Sequence, residues 1–251
     1  MKTEILSEYI NCFRELVNNK VQRIICSENN DDDFIKLIQK ALKLNKSSDW
    51  KFICTAMDII DDCSLAFKNF LKFGLSGPTK INDDGEKYLR LYGLLSATYI
   101  QQQAILNLYS LCQLPNPDLC KKQMENLDIR VVRHQIAAHS NDYLNPETNT
   151  MESFVPSRMT IGDFDLEYIN NSSSEFNSIN LKESLDRHLD LMIDLIDSIY
   201  IKLANTLYKR NTEKIDELIS CLKYARAKRE GDIVINTAIG KKIILKVDRA
   251  E

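Results

Sequence analysis

No stretch of this chain approaches the run of about eighteen apolar residues that a membrane-crossing helix needs. The opening residues, MKTEILSEYINCF, carry acids where a secretory signal would need an apolar core, so a cytoplasmic protein without membrane contact is expected. The seven cysteines (12, 26, 54, 63, 112, 120, 221) are odd in number and include no C-x-x-C pair. They read as reduced, mostly buried thiols rather than a disulfide frame or a zinc site. Also missing are a P-loop, a dinucleotide-binding glycine pattern and any internal repeat, so neither a cofactor nor a metal is expected. A net charge of −3 excludes a protein that coats nucleic acid indiscriminately, because such affinity is built by neutralising phosphates. The charge is uneven: residues 202–251 carry 12 Lys and Arg against 7 Asp and Glu, so the C-terminal part is the basic one. That excess fits either a mild polyanion footprint or a solvated basic helix.

Amphipathic periodicity dominates what is present. Residues 3–25 place Ile5, Tyr9, Phe13, Leu16 and Val21 on one stripe, and the acidic run SENNDDD interrupts it. A second helix should run from the turn at 31–33 to about residue 44, and a long one from 50 to 71, stopped by GLSGPTK. The next, about 86–114, carries Tyr88, Tyr92 and Tyr99 with leucines between them, which reads as core, as a dimer interface or as a surface on which a base stacks. Gly93 in its middle suggests close packing of a neighbouring helix, and at least one of Gln101, Gln102 and Gln103 should face inward. Asn116 and Pro117 look like an N-cap and first helical residue. Asn180 with Glu183 looks like a capping box opening a helix that should break near Asn211.

Two β elements are expected. Residues 164–168 alternate apolar and polar, and Gly162-Asp163 suggests a two-residue hairpin back to 158–161, followed by a loose NNSSSEFNS loop. Residues 232–237 and 242–247 should pair around Ala-Ile-Gly-Lys. The architecture is therefore mainly α: a single helical domain over 1–251, with an N-terminal helical pair (1–45), a helical core (48–210) bearing a β insertion at about 153–170, and a C-terminal helix and β-hairpin (212–251).

The chemically richest stretch is IRVVRHQIAAHSNDY, residues 129–143, which holds two of the chain's three histidines. With Asp128 as N-cap, Ile129, Val132 and Ile136 form the inward stripe of a helix carrying Arg133 and His139 six residues apart. On a continuous α-helix six residues turn through about 600°, leaving the two side chains about 120° apart and about 9 Å along the axis. They could still meet one phosphate if the helix frays at Ala138, if Arg133 reaches along the surface, or if two copies meet across a twofold axis.

The order Arg133, polar His134, a short apolar run and His139 resembles the R-x(4–6)-H signature of the HEPN superfamily, helical domains many of which are metal-independent ribonucleases of toxin–antitoxin and phage-defence systems. The resemblance covers about residues 50–143 and the helix after 180. It implies a HEPN-like bundle, a homodimer acting on RNA, and an antitoxin of nucleotidyltransferase type as a further partner. RNA supplies its own nucleophile, the 2′-hydroxyl, so cleavage needs proton transfer and charge stabilisation. His139 is the candidate acid–base, Arg133 the phosphate clamp and His134 a second polar contact. Arg130, Ser140, Asn141 and Asp142 are the binding or orienting candidates, Asp142 by holding the His139 imidazole. The tyrosine that a variant of the family carries two residues after its histidine is absent; Asn141 stands there. Two readings remain open beside the enzyme: a solvated face formed by Arg130, Arg133 and His134, and a non-catalytic interaction or nucleotide-binding module that dimerises through the motif helix.

Overall fold

The computed structural model describes residues 1–25, 33–79, 81–237 and 242–247. The helical half of the chain begins with α1 (Lys2–Ile25), α2 (Phe34–Leu42), α3 (Asp49–Phe73), α4 (Asp84–Leu111), α5 (Pro117–Glu125) and α6 (Asp128–Arg133), which a π-helical turn continues through His134–Ala138. Strands β1 (Tyr143–Leu144), β2 (Met151–Glu152), β3 (Phe154–Pro156), β4 (Asp165–Asn170) and β5 (Glu175–Asn180) follow, with a 3-10 turn at Arg158–Thr160. Then come α7 (Leu181–Leu207), α8 (Thr212–Cys221), α9 (Lys223–Arg229), β6 (Ile233–Asn236) and β7 (Lys242–Leu245). The chain is mainly helical with small antiparallel sheets. Most of the SENNDDD interruption and the Ala-Ile-Gly-Lys turn lie outside the described residues.

The chain divides into two compact units, and α3, α4 and α7 each contribute to both. Unit 1 comprises Met1–Asp61, Asn107–Pro115 and Met192–Glu251. Its α1 buries the whole expected stripe, Ile5, Tyr9, Phe13, Leu16 and Val21. Asp33 caps α2, its carboxylate accepting from the Ile35 amide at 3.1 Å. The long helical pattern after residue 180 breaks where expected, at Asn211, whose side chain accepts from the Lys214 amide at 2.9 Å. It breaks again at Leu222, and α9 is tied back by a two-pronged pair from Arg226 to Asp197 at 3.0 and 3.1 Å. β6 and β7 pair antiparallel as expected, with Ile233 opposite Leu245.

Unit 2 comprises Asp62–Leu106 and Asn116–Leu191, with Phe67, Leu75, Leu91, Leu95, Ile105, Ile129, Leu166, Leu181 and Leu185 all fully buried. The β insertion differs from expectation. β4 is a strand, but it pairs with β3 and with β5, not with 158–161, of which Arg158–Thr160 form the 3-10 turn. Asp163 explains the difference: its carbonyl receives the Leu75 amide at 2.9 Å and its carboxylate the Ser76 amide at 3.1 Å. The dipeptide is therefore spent on anchoring the end of α3 rather than on turning a hairpin. The segment read as a loose loop supplies β5, whose Phe176 is 70% exposed; a strand with so little buried on either face leaves no alternation to read.

Local details also shift. Asn116 is left-handed (φ 55°) and makes no side-chain cap, and Leu127 rather than Asp128 occupies the cap position of α6. Gly93 is exposed, with nothing within 4 Å of where its Cβ would stand, so it admits no neighbouring helix among the described residues. Asn180 caps α7 as expected, its side chain accepting from the Glu183 amide at 3.0 Å.

Candidate functional site

The motif lies wholly in unit 2, on α6 and the turn beyond it. Ile129, Val132 and Ile136 are buried as the stripe demands. After Arg133 the helix widens by one residue per turn: the His139 amide donates to the His134 carbonyl at 2.9 Å, an i to i+5 bond. In an α-helix, residues five apart point about 140° away from each other. In the wider turn the rings of His134 and His139 come to 6.0 Å between centroids. The offset calculated for a continuous α-helix therefore does not carry over unchanged to His139, which lies beyond the wide turn. The helix stops after Ala138, where fraying was expected. π turns of this kind occur often at functional sites.

His139 is 50% exposed, and its Nδ1 lies 3.3 Å from the Asp142 carboxylate, because the chain folds back with the Asp142 amide donating to the His139 carbonyl. A carboxylate on Nδ1 fixes the ring and leaves Nε2 as the nitrogen for proton exchange. The chain beyond is pinned where the Ser140 carbonyl accepts from the Phe154 amide at 2.7 Å, while Asn141 is exposed. His134 differs sharply from His139. Burial, then the positive charges of Arg130 and Arg133 and the neighbouring His139, push its pKa down to about 4. It is neutral at pH 7, with an Nε2 that has no hydrogen-bond partner.

The two arginines converge on one aromatic ring. The guanidinium carbons of Arg130 and Arg133 lie 4.2 and 4.1 Å from the centroid of Tyr99 on α4. Arg130 is 8% exposed, so the three cationic candidates do not make a solvated face. Its pKa is lowered by burial, and among the described residues neither guanidinium forms an ion pair with a carboxylate. Arg187, from α7, instead holds Asp128 at the head of α6 at 2.5 Å.

Four polar residues behind Arg130 form a chain that the motif alone did not reveal. Arg130 Nη1 donates to Gln102 Oε1 at 3.3 Å, and Gln102 Nε2 meets His188 Nδ1 at 3.2 Å. His188 Nε2 meets Gln101 Oε1 at 2.9 Å, and Gln101 Nε2 donates to Ser64 Oγ at 3.4 Å. All four are buried, and burial holds the His188 pKa down at about 3. The inward glutamine was expected; Tyr99, Ser64 and His188 were not singled out as partners. His188 carries one readable signal: it occupies a position on the apolar stripe of Leu181, Leu185, Leu189 and Met192, where a polar residue must find buried partners.

Among the described residues no group of three or more His, Cys, Asp or Glu side chains is placed to hold a metal. No helix is long and apolar enough to cross a membrane among them. No protein-family model, no curated protein and no solved structure matches the chain.

Proposed function

We propose that the protein is a metal-independent endoribonuclease of toxin–antitoxin or phage-defence type, with the HEPN-like site the sequence suggests. The observation that carries this reading is the convergence of two guanidiniums on the Tyr99 ring, neither ion-paired to a carboxylate among the described residues, on the segment that ends at the half-exposed, carboxylate-backed His139. Positive charge held outside any ion pair, together with an imidazole that can pass a proton, fits a phosphodiester. In the reaction the 2′-hydroxyl attacks phosphorus, its proton leaves to a base, the P–O5′ bond breaks and the 5′ oxygen takes up a proton. The products are a 2′,3′-cyclic phosphate and a 5′-hydroxyl. His139 Nε2 exchanges the proton, contributing about 10²–10⁴-fold, and Arg133 donates to the non-bridging oxygens as charge develops. His134, neutral beside them, supplies a hydrogen bond rather than a charge.

The test compares wild type with His139→Ala and Arg133→Ala on mixed RNA in the presence of EDTA. His139→Ala should lose rate by orders of magnitude with RNA binding nearly unchanged, and Arg133→Ala should lose both. Cleavage that requires added Mg²⁺ would overturn the mechanism. A folded wild type that neither cuts RNA nor slows growth of a host lacking an antitoxin would favour the second reading, a non-catalytic module. That reading draws support from the burial of Arg130, whose guanidinium is engaged with Gln102.

A further inference from the structure

Two like charges beside one ring repel each other, and neither is ion-paired to a carboxylate among the described residues, Glu125 favouring the Arg130 charge at longer range. Something must hold them there. Arginine has only donors, so the atom of Gln102 facing Arg130 has to be its carbonyl oxygen. That choice turns the Gln102 amide nitrogen towards His188 Nδ1, which must then accept. His188 therefore carries its proton on Nε2 and donates to the Gln101 carbonyl, and the Gln101 amide is left to donate to Ser64. A single cation thus dictates the orientation of every group behind it, and each bond in the row polarises the next in the same sense. The negative end of the row is presented to Arg130.

We infer that the Gln102–His188–Gln101–Ser64 row and the Tyr99 ring are a positioning device that fixes Arg130 and, through the shared ring, sets the guanidinium of Arg133. The catalytic consequence rests on the ribonuclease reading; the positioning itself does not. Buried amides and an imidazole contribute little net stability when an apolar core could fill the same volume. The row runs from Ser64 to the motif's own cation, which is the arrangement of a support for the site. Tyr99, Gln102 and His188 are positioning residues here; none need touch substrate.

The experiment uses the full chain with arginine side chains labelled for NMR, in wild type, Tyr99→Phe, Tyr99→Leu and Gln102→Met. Ring-current shifts of the Arg130 and Arg133 side-chain signals report stacking on residue 99. They should persist in Tyr99→Phe, vanish in Tyr99→Leu, and weaken for Arg133 in Gln102→Met, although Gln102 is not bonded to Arg133. On RNA, Tyr99→Leu should lower kcat by about 10²-fold, the scale of an ångström-sized misplacement, with Tyr99→Phe restoring it. A folded Gln102→Met whose Arg133 signals match wild type would overturn the inference. If that variant does not fold, equal Arg133 shifts in Tyr99→Phe and Tyr99→Leu would overturn it instead. A wild type that cuts no RNA defeats the ribonuclease reading and leaves the NMR comparison to judge the positioning.

Discussion

Acid should weaken this fold through His188 in a way that one substitution isolates. Folded, the buried imidazole resists protonation down to about pH 3, whereas in the unfolded chain it titrates at its ordinary 6.5. Between those values the unfolded state binds the extra proton, so stability falls as pH falls through that window and is intact above 6.5. At about 1.36 kcal/mol per unit, going from pH 7 to pH 4.5 costs about 2.5 kcal/mol from this residue alone. Protonation would also turn Nδ1 into a donor facing the Gln102 amide, breaking the row that ends at Arg130. His188→Gln removes the titration and keeps one donor and one acceptor. Urea unfolding of both proteins at pH 7, 5.5 and 4.5 and constant ionic strength should show wild type losing about 2.5 kcal/mol more than the variant over that range. The contribution of carboxylates and of His134 is common to both and cancels. Stability curves that run parallel would refute the reasoning, since they would mean that His188 titrates alike folded and unfolded.

Two further outcomes test the packing. Leu95, fully buried on α4, should cost about 2–5 kcal/mol when cut to Ala, measured by the same denaturation; a cost under about 1 kcal/mol would contradict its burial. Gly93→Ala should stabilise by up to about 1 kcal/mol, because the glycine is exposed in mid-helix with open space where a methyl would stand. A loss of stability there would mean that a neighbour does approach it.

The parts of this fold that could be read from the sequence are those with a dense apolar period. The stripes of α1, α6 and α7 repeat at the helical spacing, and all of them are buried. Of the expected alternation Phe164, Leu166 and Tyr168, the last two are buried in β4 and Phe164 is half-buried before it. β5 was illegible because its burial pattern is nearly uniform, and a pairing partner with no inward face is specified only by its neighbour's backbone. The tyrosine row on α4 was half legible: Leu91 and Leu95 are fully buried, but Tyr88 and Tyr99 are only partly so, since they lie at the margin of the buried face. At the site, residue types and helix placement could be read, and so could the Asp142 contact once a tight turn was allowed. The wide turn could not, because HQIAA has the composition of an ordinary helix. Nor could the buried row, whose members come from three distant segments and whose logic starts only when Arg130 is known to be inside.

That wide turn changes what a spacing means. Counting residues between an arginine and a histidine measures contour length along the chain, while chemistry responds to the angle and separation of the side chains. A helix that absorbs a surplus residue by loosening one turn decouples the two, so spacers of different length can deliver the same arrangement, and equal spacers different ones. In this protein the five residues from His134 to Ala138 form the wide turn between a buried Arg130 and an exposed His139. The histidine's placement is therefore governed by how the chain beyond is anchored, at the Ser140 carbonyl and β3, as much as by the helix that precedes it.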